Sequence, residues 1–136
     1  MEQHGLKFHH IGLAVSQYKP THGFLCGLGY LIGDVVYDPV QNVNLCLCQH
    51  TSMPTVEIIF SSGTPGPIDN ILANHGEGIY HICYETTDLE GSLKSIKERG
   101  NRIRCISPPK EAILFSCRRV SFYFVAGLGL IEILEE

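Results

Sequence analysis

Short apolar runs punctuate this chain, and two of them open with the same His-Ile pair. The first run covers residues 10–15 and the second covers residues 81–86, so the two histidines lie 71 residues apart. The same register holds without a gap from His10 to Gly29 and from His81 to Gly100. Their β-branched and aromatic content predicts strands over residues 8–15 and 79–86. The chain therefore contains an internal repeat.

Each half ends in a second matching run, at residues 55–60 and 130–134, with one glutamate between apolar neighbours. These glutamates, Glu57 and Glu132, are 75 residues apart, so one hairpin of the second half has about four more residues. Further strands are predicted at 30–36, 43–48, 102–106 and 119–125, with helices at 20–28 and 89–99. Both halves thus have the order βαβββ.

Turn residues and helix caps divide these elements. Ser16 or Lys19 is expected near the first helix cap, and Thr87 or Asp88 at the second. The segment 107–110, Ser-Pro-Pro-Lys, is expected to break the chain after the strand at 102–106. A Pro/Gly/Ser-rich stretch at 61–67 marks the boundary between the halves, and a short amphipathic segment follows at 68–74.

The length of the chain bears on its domain organisation. Two halves of about 65–70 residues would each be marginal alone, so they are expected to share one core. We predict a single domain over residues 1–136, made of modules at about 7–60 and 78–135 that residues 61–77 link.

Composition excludes several functions. The net charge of −4 and the pI near 5.9 give no electrostatic reason to expect nucleic acid. No apolar run reaches the length of a membrane span, and the N-terminus lacks the features of a signal peptide, so a cytoplasmic protein is expected. The six cysteines include no C-x-x-C pair, and we expect them to be reduced and mostly buried.

Alternation along the strands selects candidate metal ligands. His10 and His81 correspond in the repeat, whereas His9 lies on the other face of its strand, so His10 is the favoured ligand. Glu57 and Glu132 stand within apolar strands, where a buried carboxylate is costly unless it is compensated. A divalent cation (Zn, Co, Ni, Mn or Fe) suits such a set of two imidazoles and two carboxylates. Alternatively, the glutamates point to solvent from one-sided sheets and the histidines are core residues.

Three segments carry a family resemblance, at residues 9–15, 76–82 and 129–134. They resemble the vicinal oxygen chelate superfamily, which includes glyoxalase I, extradiol dioxygenases and methylmalonyl-CoA epimerase, and they look closest to the epimerase. The resemblance implies an α+β fold in which paired βαβββ modules form a cup-shaped mixed sheet with helices outside. It also implies one divalent metal bound by His10, Glu57, His81 and Glu132.

The implied reaction is metal-assisted proton transfer beside a carbonyl, on a small acyl or thioester substrate. The catalytic candidates are Glu132, which would serve as ligand and base together, and Asp38. Epimerases of this type have a further Glu before the third strand, whereas residues 37–43 here contain only Asp38 as an acid. Arg119 and Phe122 are the candidate substrate-binding residues, the first for a phosphate or carboxylate and the second for an acyl group.

Two other functions stay open at this stage. The missing Glu favours a non-catalytic module of the same fold that binds or sequesters a small molecule or antibiotic. An extradiol-type dioxygenase is less favoured, because a fourth protein ligand leaves less room for oxygen and substrate together. A homodimer is expected, because two-fold dimers dominate among soluble oligomers.

Overall fold

The computed structural model describes residues 3–136, and they form two compact units. One unit is His10–Tyr80, and the other comprises residues 3–9 together with His81–Glu136. The prediction about the N-terminus falls partly on Met1 and Glu2, which lie outside the described residues. That the two modules share one domain and one core stays a prediction.

The first module follows the predicted order. Its elements are β1 (Lys7–Ala14), α1 (Tyr18–Gly27), β2 (Leu31–Asp38), β3 (Val43–Gln49) and β4 (Val56–Ser61), followed by α2 (Pro67–His75). The strands lie in the order β2-β3-β4-β1. β4 runs parallel to β1, and the other neighbours are antiparallel.

The second module repeats this arrangement. Its elements are β5 (Gly78–Thr86), α3 (Leu89–Glu98), β6 (Ile103–Ala112), a 3₁₀ turn at Ile113–Phe115, β7 (Arg118–Val125) and β8 (Gly129–Glu135). The strands lie in the order β5-β8-β7-β6, and β8 runs parallel to β5. The predicted repeat of βαβββ is therefore confirmed element by element.

The sequence prediction was wrong about the end of β6. Instead of breaking at Ser107, the strand continues through Pro108 and Pro109 to Ala112. Its pairing with β7 shifts register twice, between Cys105 and Ser107 and again before Lys110. β6 is the last strand in its unit's sheet, and proline, which has no N–H to donate, is tolerated in such strands and at bulges.

The two principal helices begin differently. Asp88 is the N-cap of α3, as predicted, and its side chain accepts a hydrogen bond from the Gly91 N–H. In α1 the N-cap is Gln17, which makes no side-chain cap bond, and Ser16 lies directly before it, near the cap as predicted. Ser16 instead donates its backbone N–H and its hydroxyl to the Glu77 carboxylate.

Apolar cores cover one face of each sheet. In the first unit, Val15, Leu25, Tyr30, Val56 and Ile58 pack together with two cysteines. In the second unit, the core is built on Tyr123, Ile131 and Ile133. All six cysteines are free, as predicted, but only Cys46, Cys48 and Cys83 are buried.

No helix within residues 3–136 combines the length and apolar character needed to cross a membrane.

Candidate metal site

A buried histidine and a buried glutamate meet in the first unit. His10 lies on β1 and Glu57 on β4, whose register places Gly12 beside Glu57. The Nε2 atom of His10 is 3.4 Å from Oε1 of Glu57. The two residues are 0% and 3% exposed, so the carboxylate lies in a strongly desolvated position.

The second unit contains the same arrangement at the equivalent positions. His81 lies on β5 and Glu132 on the parallel neighbour β8, where Cys83 is the register partner of Glu132. The Nε2 atom of His81 is 3.2 Å from Oε1 of Glu132, and both residues are 2% exposed. The internal repeat of the sequence therefore places the same imidazole–carboxylate pair in each unit.

The donor chemistry of both pairs fits a divalent cation. Each pair places one imidazole nitrogen and one carboxylate oxygen together where water is excluded. Burying a charged carboxylate costs roughly several kcal/mol unless a cation or hydrogen bonds compensate the charge. Neutral imidazole with carboxylate is a donor set that suits Zn, Co, Ni, Mn or Fe(II).

His9 has different surroundings from His10. Its ring packs edge-on against Phe115, with ring centroids 5.4 Å apart. His9 is half-buried, whereas His10 is fully buried beside Glu57. The alternation of the strand thus separates the two neighbouring histidines as expected from the sequence.

We call the sheet surface that carries the His–Glu pair in each unit its pair face. In the first unit, Leu47 of β3 lies directly opposite Glu57 on this face. In the second unit, Phe122 of β7 lies directly opposite Glu132. The Phe122 ring also packs edge-on against His81, with centroids 5.5 Å apart. Phe122 therefore lies beside the pair, and such apolar neighbours strengthen electrostatic interactions by excluding water.

Asp38 is placed differently from the other catalytic candidates. It is fully buried at the end of β2, and its carboxylate accepts hydrogen bonds from its own hairpin turn. The donors are the backbone N–H groups of Val40 and Gln41, at 2.8 and 3.2 Å, and the Gln41 side-chain amide, at 3.1 Å. These bonds give Asp38 a role in stabilising the turn, and its use as a base stays a prediction.

The two adjacent arginines of β7 point to opposite faces, as alternation requires. Arg119 lies on the face opposite to Phe122, and its Nη2 donates to Oε1 of Glu135 at 2.7 Å. Arg118 shares the pair face but donates to the Glu85 carboxylate and to the Glu135 carbonyl. The structure therefore does not bring Arg119 to the pair face.

The pair face of the second unit carries a further cation, Arg104, that the sequence analysis did not identify. Arg104 of β6 lies opposite Phe124, which shares the pair face with Phe122. The guanidinium of Arg104 lies over the Phe124 ring, 6.0 Å from its centroid. Only the pairing register of β6 with β7 reveals this placement, and that register is not visible in the sequence of β6 alone.

Comparison with known proteins gives consistent matches. The family model described as glyoxalase/bleomycin resistance protein/dioxygenase superfamily matches residues 9–116. Over 114 residues, the chain is 28% identical to ethylmalonyl-CoA/methylmalonyl-CoA epimerase of Cereibacter sphaeroides, covering 76% of this chain and 78% of the relative.

Two solved structures are similar over nearly the whole chain. One is a hypothetical protein from Bacillus halodurans C-125, with a TM-score of 0.81 and 25% identity, covering 96% of this chain and 94% of that one. The other is methylmalonyl-CoA epimerase from Mycobacterium tuberculosis, with a TM-score of 0.73 and 20% identity, covering 96% and 87%.

Proposed function

The chain belongs to the glyoxalase/bleomycin resistance protein/dioxygenase superfamily, and from that premise we propose that it is a divalent-metal-dependent enzyme of the epimerase, isomerase or lyase type. The resemblance and the α+β fold of two βαβββ modules that the sequence predicts are confirmed by these matches. The proposed substrate is a small acyl thioester, in keeping with the epimerase relative at 28% identity.

One observation carries the proposal: a buried His–Glu pair recurs at the same place in both modules. We propose that His10, Glu57, His81 and Glu132 together bind a single divalent ion. When bound, such an ion polarises the substrate carbonyl and stabilises the negative charge of an enolate.

Glu132 is the proposed base that takes the proton from the carbon beside the carbonyl. It lies on the same face as Phe122 and is almost completely buried, which places a carboxylate in surroundings poor in water. Phe122 packs on His81 and would orient the imidazole and shield the reacting carbon from solvent. A buried carboxylate positioned in this way is a common arrangement for proton abstraction.

A second candidate function is a binding module of the same fold without catalysis. It is favoured by the three hydrogen bonds that hold the Asp38 carboxylate in its turn. With Asp38 used in this way, Glu132 is left as a single acid/base group, without a second one to return the proton. The half-buried Leu47 of β3 also lies opposite Glu57 on the pair face, and its side chain cannot transfer a proton. A protein that only sequesters an apolar molecule would use such a surface.

Metal content tests the site first. We expect elemental analysis of protein purified without chelator to find near one divalent ion per chain, and we expect a His10→Ala/His81→Ala variant to lose it. His75→Ala is the control, because His75 is exposed at the end of α2. A wild type that neither contains metal nor takes up Co²⁺, Ni²⁺, Mn²⁺ or Zn²⁺ would contradict the enzyme proposal.

Solvent deuterium exchange tests the chemistry. In D₂O, the metal-loaded protein should exchange the proton beside the thioester carbonyl of methylmalonyl-CoA or ethylmalonyl-CoA for deuterium. Mass spectrometry of the substrate measures this exchange. Glu132→Gln should reduce the exchange rate by at least about 100-fold, the usual scale of a lost general base, whereas Asp38→Asn should retain it. Metal binding and substrate binding without any exchange would support the binding module instead.

A further inference from the structure

We propose that the second unit has a separate binding site for a monocarboxylic acid with an apolar chain, in the cavity between α3 and the sheet. The cavity has a volume of about 600 Å³, within the range of roughly 300–1,000 Å³ that is usual for small-molecule sites. Residues 3–6, α3 with the residues that follow it, and the sheet with its β7–β8 turn line this cavity. The proposal goes beyond the proposed function and does not depend on it.

The cavity lies on the face of the sheet opposite the pair face. Ile131 lines the cavity and directly precedes Glu132 on β8, so the alternation of the strand turns the two side chains to opposite faces. Tyr84 of β5 also lines the cavity, and it is the register partner of Ile133, which shares the face of Ile131. A molecule bound in this cavity would therefore leave the pair face open.

The floor of the cavity is apolar. Ile96 of α3 and Ile131 are almost completely buried at its base. Leu6, Tyr84 and Val125 are half-buried against the core cluster that contains Ile131, and they line the cavity with the rest of their apolar surface. This surface suits an alkyl chain, because the free energy gained by burying such a chain grows with the apolar area removed from water.

Hydrogen bonds hold the segment that forms one wall of the cavity. The Ser95 hydroxyl donates its single proton to the Gln3 carbonyl at 2.8 Å. Nδ1 of His4 lies 2.9 Å from the same hydroxyl oxygen, so it is the donor of the second bond. Both bonds tie residues 3–4 to α3. The cavity is therefore formed before a ligand arrives, as is usual for small-molecule sites.

One arginine gives the cavity its charge. Arg99 is the permanent cation in the lining that residues 3–136 provide, and this lining includes no aspartate or glutamate. Its Nη1 donates to the side-chain oxygen of Gln3, which leaves Nε and Nη2 for a ligand. Within the same residues it forms no ion pair with a carboxylate. A planar guanidinium binds a carboxylate through two parallel hydrogen bonds, and one such charge matches a monoanion better than a doubly charged phosphate.

The first unit has a cavity at the equivalent place, and its charge is opposite. This cavity, beneath α1, has a volume of about 750 Å³, and Glu77 is the charged residue in the lining that residues 11–79 provide. Four lining residues correspond in the internal repeat: Leu13 to Tyr84, Leu25 to Ile96, Tyr30 to Asn101 and Val56 to Ile131. A carboxylate ligand would be repelled by Glu77. The charge of the lining therefore selects the cavity of the second unit for an acid.

Binding of octanoate and of 1-octanol to chelator-treated protein, measured by calorimetry, tests the proposal. The wild type should bind octanoate about tenfold more tightly than 1-octanol or better. Arg99→Gln should weaken octanoate binding about tenfold and leave 1-octanol binding unchanged. Arg102→Gln is the matched control, because Arg102 is exposed and outside the cavity lining, and it should change octanoate binding by less than about threefold. Circular dichroism melting confirms that each variant is folded.

Several outcomes would overturn the inference: no octanoate binding by the wild type, equal affinity for octanoate and 1-octanol, or equal losses in Arg99→Gln and Arg102→Gln. Octanoate binding that appears only after Co²⁺ is added would place the carboxylate on a metal and would also overturn it. Because the assay uses chelator-treated protein, its result is independent of metal content and deuterium exchange. The cavity proposal and the proposed function can therefore fail separately.

Discussion

A single carboxylate links the end of the first strand to the segment after α2. Oε2 of Glu77 accepts hydrogen bonds from the Ser16 backbone N–H at 2.8 Å and from the Ser16 hydroxyl at 2.9 Å. These bonds, the backbone one first, favour the charged form and lower the pKa of Glu77 below its usual value of 4.5. These bonds therefore stabilise the folded protein fully above pH 4.5, and this stabilisation is lost as the pH falls through the lowered pKa that Glu77 has in the folded state.

This linkage predicts a pH-dependent effect of Glu77→Gln. At pH 7 the variant should unfold at a lower urea concentration than the wild type, because the charge-assisted bonds to Ser16 become neutral. The difference should shrink as the pH falls below 4.5 and disappear once the wild-type carboxylate is also protonated in the folded protein. Glu111→Gln, at an exposed position of β6, is the control. A difference in the urea midpoint that does not change with pH would contradict the charge-assisted bonds between Glu77 and Ser16.

Residue patterns predicted part of the site, and the limits of that prediction are physical. Alternation distinguishes His10 from His9 because the period of a strand is fixed at two. The sequence of β7 does not show that Arg119 pairs with Glu135, because that ion pair depends on how β7 and β8 align. The placement of Arg104 likewise depends on strand pairing, which a single strand's sequence does not contain.

At the level of elements, the capping of α3 gives a matched pair of variants. The Asp88 carboxylate accepts a hydrogen bond of 3.0 Å from the Gly91 N–H, whereas Gln17 at the start of α1 makes no side-chain cap bond. Asp88→Ala should reduce the free energy of unfolding by about 1 kcal/mol. Gln17→Ala should change it by less than about 0.5 kcal/mol. Urea unfolding measures both, and equal losses would contradict a capping role for Asp88.

Element order followed from the sequence better than element ends did. Hydrophobic alternation and the internal repeat fixed the βαβββ order, because both are local properties of the chain. The continuation of β6 through Pro108 and Pro109 could not be predicted in this way. It depends on two register shifts against β7 and on the position of β6 at the end of its unit's sheet.

At the level of the whole molecule, the repeated pairs allow two metal stoichiometries. If His10, Glu57, His81 and Glu132 bind one ion, the wild type holds one ion per chain, and either single variant, His10→Ala or His81→Ala, should lose most of it. If each pair binds its own ion, the wild type should hold two and each single variant one. Elemental analysis of metal-loaded and chelator-treated protein distinguishes these cases.

Thermal stability gives the same distinction a second, independent readout. An ion present at about 100 times its dissociation constant stabilises the folded protein by about 2.7 kcal/mol, which corresponds to a rise in Tm of about 10 °C for a chain of this size. With one shared ion, adding Co²⁺ to chelator-treated protein should raise the Tm of the wild type and of His75→Ala but of neither single variant. Retention of about half the rise in both His10→Ala and His81→Ala would mean that the modules bind metal independently. The internal repeat would then have duplicated a complete site in each module, and a single ion shared by the two modules would be excluded.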